Sequence, residues 1–200
     1  MSPSFLREIL ACISGVMVGG FFAHIFILPP VEHNHDLDIA HNEEYHVHTD
    51  FRIYIEDEQL DLSADKYKTT AKHEHGYETH LHDNEGGVEH IHAENVSFAS
   101  FLDSIGLKLT DDCLTTDDQK EYCRDESNVL EMFVNGEQID TISEYIPVDE
   151  DRILLYFGEP NNPKIEDYIN EIPSDACLYS GTCPERGVAP PENCGLTCEL

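Results

Sequence analysis

Histidine is the residue type whose number and spacing could do chemistry in this chain. Of 12 histidines, eleven fall between His33 and His92, and ten of these form five H-x-H pairs: 33/35, 46/48, 73/75, 80/82 and 90/92. In a strand, residues i and i+2 point the same way, so each pair aims two imidazoles at one point. Neutral imidazole is the commonest metal ligand, and most histidines are neutral at pH 7. A single pair arises easily by chance, and a histidine-rich loop can scavenge metal with no defined geometry. Five pairs in so short a stretch, on alternating strands, point instead to an ordered site.

The elements that must position these rings follow from the residue pattern. In YHVHTDFRIYI (45–55), Tyr45, Val47, Thr49, Phe51, Ile53 and Ile55 alternate with His46, His48, Asp50 and Arg52. That is the two-residue period of a half-buried strand, so His46, His48 and Asp50 share the face opposite the core. THLHDNEGGVEHIH (79–92) reads as a hairpin whose turn holds Gly86-Gly87. Pairing Asn84 with Val88 sets His82 opposite His90 and His80 opposite His92, with Leu81 and Ile91 on the core side. His73 and His75 lie on the same insert, 63–92, and join the candidate ligands. His33, His35 and His41 fall in a polar linker, 32–44, and do not. The hairpin is expected to fold over the first strand and share one site with it. Only a cation offsets the like charges of Asp50, Asp83 and Glu94 that docking brings together.

Imidazoles and carboxylates with oxidised cysteines suit zinc or copper(II), and nickel less well. Three methionines, with Met17 inside an apolar stretch, argue against a soft copper(I) site. Calcium is a conceivable extra guest of so acidic a chain, though no EF-hand spacing occurs. No H-E-x-x-H, G-x-S-x-G or phosphate-binding glycine loop is present. A hydrolytic zinc site needs three ligands, an open position and a base, for which Asp50 or Glu89 could serve. Catalysis is left open, and binding without turnover is favoured. Asn95-Val96-Ser97 fits a glycosylation sequon, although Ser97 also suits a helix cap.

Composition sets the frame. The 200 residues carry 11 Lys+Arg against 41 Asp+Glu, a formal charge of −30. Phosphate binding needs a basic surface, so nucleic acid is excluded as a partner, and divalent cations are favoured. Such acidity also suits a salty medium. From Ile9 to Leu28 the chain is apolar except for Ser14 and His24, long enough to span a bilayer. With Arg7 the only basic residue before it, residues 1–31 read as a cytoplasmic stub and a single transmembrane signal anchor, with everything after Pro30 outside. Gly15 and Gly19 have the small-xxx-small spacing of packed membrane helices. Cys12 lies in that stretch. The remaining six, Cys113, Cys123, Cys177, Cys183, Cys194 and Cys198, permit fifteen pairings in an oxidising compartment. The simplest joins Cys113 to Cys123 across a polar loop and leaves the other four to staple the tail. Cys194-x3-Cys198 is the nearest approach to a zinc spacing, and no C-x-x-C occurs to support thiol–disulfide exchange.

SFASFLDSI (97–105) reads as a helix, with Ser97 as N-cap and Gly106 as stop. Asn135-Gly136 marks a hairpin within VLEMFVNGEQID, and RILLYF (152–157) a final strand. IYIEDEQLD (53–61) and MFVNGEQID (132–140) form a faint repeat, each a strand, a turn and E-Q-[LI]-D. Two hairpins flanking a helix, then a closing strand, resemble the β-grasp fold of the small ubiquitin-like sulfur carriers. The expected fold is α+β: a β-grasp-like domain, 45–160, with a His-rich inserted hairpin, one transmembrane helix before it and a disulfide-rich irregular tail, 161–200, after it. Sulfur transfer is not implied, because Gly158 is followed by Glu159 and not by a terminal Gly-Gly. The anchor, H-x-H-x-D-F, HLHDNEGGVEHIH and ACLYSGTCPERGVAPPENC together resemble an uncharacterised family of exported, membrane-anchored His/Cys-rich microbial proteins. Some members carry the label protein-disulfide isomerase. These readings converge on extracytoplasmic binding of zinc or copper for buffering, delivery or sensing. A metalloenzyme is the alternative, and a thiol–disulfide protein the third.

Overall fold

The computed structural model of the protein describes residues 45–69, 76, 78–82 and 86–189. Strand β1, Val47–Ile55, carries the expected alternation. Its odd positions Phe51 and Ile53 enter the main core, and its even positions His48, Asp50 and Tyr54 face the other way. Glu56 and Asp57 take positive φ (52° and 68°) and turn the chain into β2, Glu58–Gln59. Two short strands follow, β3 (Thr79–His80) and β4 (Val88–Ile91), and then helix α1, Phe98–Ser104. Ser97 caps that helix as expected, its hydroxyl accepting from the Ser100 N–H at 3.1 Å. Further on come β5 (Lys108–Leu109), β6 (Cys113–Thr115), β7 (Glu121–Cys123), β8 (Val129–Val134), β9 (Glu137–Ile139) and β10 (Arg152–Gly158). The chain then forms α2, Ile165–Glu171, and α3, Ala176–Tyr179.

The large sheet runs β3-β4-β1-β10-β8-β9, with β2 paired to β1. The first and last strands are parallel, Phe51 opposite Ile153, and the other neighbours are antiparallel. Asn135-Gly136 turns β8 into β9 with both residues at positive φ, 53° and 86°, as its sequence demands. Both halves of the faint repeat are therefore hairpins. Phe98, Phe101 and Leu102 of α1 are fully buried against Phe51, Leu130, Met132 and Leu155 on one face of the sheet.

The opposite face is covered by the C-terminal segment. Tyr168 of α2 stacks on Tyr54 at 3.9 Å between ring centroids, and Ile172 joins Leu154 and Tyr156 in a second apolar cluster. Two neighbours in the sheet register, Asp50 and Arg152, fasten this segment. The Arg152 guanidinium donates to the carbonyls of Ile169, Ile172 and Pro173 at the end of α2, where carbonyls lack helical partners. The Asp50 carboxylate accepts the N–H groups of Asp175 (2.9 Å) and Ala176 (3.0 Å) at the start of α3. Asp57 completes the attachment through Tyr168, Lys164 and Asn162.

The expected architecture is corrected. The described chain is mostly sheet with few helices, each at most seven residues long. None of those helices is long and apolar enough to cross a membrane, and residues 9–28, expected to do so, lie outside the described residues. The β-grasp-like α+β description with a transmembrane helix before it does not stand as the fold. The tail is not irregular as far as Ala189, because Tyr168, Ile172 and Ala176 give it a buried side. The expected polar loop between Cys113 and Cys123 is instead part of a three-stranded sheet, β5-β6-β7, in which the two cysteines face each other and are bonded. Leu109 and Leu114 anchor that small sheet in the main core.

Candidate metal centre

Strand pairing assembles the histidines. His48 on β1 lies opposite His90 on β4, and His90 in turn lies opposite His80 on β3. The hairpin register differs from expectation by two residues: His80, not His82, faces His90. A two-residue shift keeps every side chain on its original face. The four hairpin imidazoles therefore still share one side, and Leu81 is buried in the core on the other. At Gly87, just before β4, a Cβ would lie 2.0 Å from the Arg52 guanidinium, so a side chain there would have to displace the end of Arg52.

The six rings His46, His48, His90, His82, His80 and His92 close into a circle. Ring centroids are 4.4 Å apart for 46/48, 4.7 Å for 48/90, 4.0 Å for 82/90, 4.6 Å for 80/82, 4.9 Å for 80/92 and 4.5 Å for 46/92. Two groups within it could hold a metal ion: His46, His48 and His90, and His80, His82 and His92. In each group the potential donor atoms lie within 4.8 Å of one another. The face expected to be open to solvent is largely covered. His48, His80, His82 and His90 are buried, His92 is half-buried and His46 is exposed. Tyr179 of α3 packs over His90 and His48, with centroid distances of 4.7 and 5.5 Å.

Hydrogen bonds at the Nδ1 atoms of His48 and His80 fix which nitrogen is available. The Ser180 hydroxyl donates to the Asp149 carboxylate at 2.6 Å, so toward His48 Nδ1, 2.8 Å away, it acts as acceptor. His48 then carries its proton on Nδ1 and presents the Nε2 lone pair. Likewise the Gly76 carbonyl, which can only accept, lies 3.3 Å from His80 Nδ1 and leaves His80 Nε2 as the donor atom. These Nε2 atoms stand 3.1 Å from His46 Nε2 and 3.2 Å from His82 Nε2. A tetrahedral ion with bonds of about 2.0–2.1 Å holds its nitrogens about 3.4 Å apart, close to both separations. Burial, reinforced by the neighbouring His82 and His48, holds His90 well below the ordinary imidazole value, so it too stays neutral and able to ligate.

The carboxylates fare differently. Asp50, expected as a ligand, spends both oxygens on the backbone of α3, and it is absent from both groups. Burial raises its pKa, while those two bonds pull the other way. Glu89 lies fully buried on the core side, accepting from Thr79 (2.9 Å) and Thr49 (3.1 Å), and burial pushes it up to about 8. His73 and His75 lie outside the described residues, as do Cys194 and Cys198. Cys177 and Cys183 form a disulfide that closes the loop bearing Tyr179 and Ser180. Sequence reasoning missed Asp149, Tyr179 and Ser180. Ser180 stands 132 positions from the histidine it orients, in a segment without periodicity. Among known proteins, no family model, no curated protein and no solved structure matches the chain.

Proposed function

We propose that the protein binds divalent transition-metal ions, zinc or copper(II), through His46, His48, His80, His82, His90 and His92, for buffering, delivery or sensing outside the cytoplasm. The observation that carries this reading is the pair of Nε2–Nε2 approaches at 3.1 and 3.2 Å, each including a ring whose Nδ1 faces an oriented acceptor. Orientation of ligating histidines by such partners is the usual construction of a metal site. All-imidazole sites suit zinc and copper(II). Two disulfides favour an oxidising compartment.

The other readings find less support. Asp50 is committed to α3 and Glu89 lies on the far face, so neither carboxylate considered as a catalytic base reaches the imidazoles. The disulfide-isomerase label of the family that the sequence resembles fares no better. Among the described residues, both cystines join residues farther apart than a C-x-x-C pair, at separations of 10 and 6. The test is metal analysis of the untagged full chain, followed by titration with zinc and copper(II). Bound metal after gentle purification, or saturable uptake, is expected. A chain that takes up neither ion refutes the proposal.

A further inference from the structure

The two histidine groups have no residue in common, yet they interlock: β4 lends His90 to one, and His92, just beyond it, joins the other. A single ion cannot serve the whole circle. A tetrahedral ion takes four ligands, and the six rings offer their nitrogens as two separate sets of three. Each group amounts to three ligands for one ion, which leaves a tetrahedral ion one position short. Charge presses in the same direction. Six neutral imidazoles bring no negative charge to two dications, and buried charge without compensation is costly. Among the described residues, Asp50 is held by the α3 backbone and Glu89 sits behind the sheet, which points to solvent as the source of a compensating ligand. An entrance exists. His46 and His92, the most exposed ring of each group, lie side by side at 4.5 Å.

We propose, resting on the metal-binding reading above, that the six histidines form one dinuclear centre whose two ions share a small anion entering between His46 and His92. The native anion is hydroxide, formed when a bound water gives its proton to solvent; metal coordination makes that loss easy near neutral pH. Other small anions such as azide compete for the same bridge.

Copper(II) and azide added to the untagged full chain test this. The expected result is two coppers per chain, with an electron paramagnetic resonance spin count well below the copper content, because bridged copper(II) ions pair their spins. Azide should then add a new absorption band that saturates at one azide per two coppers. His92→Ala should bind one copper, with the spin count equal to the copper content. Two coppers with a full spin count, or an azide response that persists unchanged in His92→Ala, overturns the bridged centre. A native chain that saturates at one copper overturns the dinuclear proposal and leaves metal binding standing. Failure to bind any copper or zinc removes the parent reading as well. Should His92→Ala not fold, the spin count and azide titration of the native chain decide the matter alone.

Discussion

Replacing Ser180 with alanine removes a hydroxyl that touches no ion, and for that reason it isolates the orientation of His48. The hydroxyl accepts a hydrogen bond from the Nδ1–H of His48 and donates its own to Asp149, so Nε2 is kept as a lone pair. Without it, His48 is freer to adopt the other tautomer or to rotate. His48 is only 1% exposed, so water is poorly placed to substitute. Loss of such a supporting partner typically costs 10–100-fold in metal affinity, roughly 1.4 to 2.7 kcal/mol. The fold should lose less, about 1 kcal/mol for a hydrogen bond, since Asp149 keeps the His48 backbone N–H at 3.0 Å. Zinc affinity measured against a chelator of known strength, beside urea unfolding of the metal-free chain, separates the two effects. Ser180→Thr keeps a hydroxyl and should recover most of the affinity. If Ser180→Ala binds zinc as tightly as the native chain, His48 orientation does not govern the site. If both variants lose affinity equally, the hydroxyl is not the operative group.

Metal affinity should fall as pH drops below about 6.5, because imidazoles bind either a proton or a metal ion; titrations across that range check it. In the metal-free chain, His90 is depressed by burial, so its contribution to stability is complete above about 6.5 and is lost as pH falls toward the lower folded value. Urea midpoints against pH, native chain beside His90→Gln, should show that difference. Glu89 has the opposite sign: raised to about 8, it stabilises the fold fully below its ordinary carboxylate value and progressively less as pH rises to about 8. The swing is on the order of 5 kcal/mol and should vanish in Glu89→Gln, so the variant gains on the native chain with each step of pH up to 8. Asp50→Ala strands two N–H groups of α3 and should cost about 1–3 kcal/mol in unfolding experiments. It should also weaken metal binding by displacing Ser180.

What could be read from the sequence was whatever depends on local period. The alternation along 45–55 put His46 and His48 on one face, and Asn135-Gly136 and Ser97 marked a hairpin and a helix start. The hairpin register escaped by two residues, because a shift of two leaves apolar and polar positions on their proper sides. Asp50 was misjudged for a related reason. A carboxylate two residues after a ligand lies on the right face, but nothing local says that a helix start from 125 positions away will claim it. The C-terminal segment was opaque because its two helices, seven and four residues long, are too short to show a stripe. Its buried side consists of Tyr168, Ile172 and Ala176, spaced across a proline.

The two cystines among the described residues tie the small sheet and the C-terminal segment, but neither reaches the β3–β4 hairpin. That hairpin forms one border of the main sheet, held through the pairing of four residues of β4 with β1. An ion gripped by His46, His48 and His90 would act there as a third staple. It closes a loop of about forty residues, which in the chain-entropy account of cross-links is worth roughly 4 kcal/mol. Loading and locking would then be one event, with the border of the sheet more resistant to proteolysis when an ion is bound.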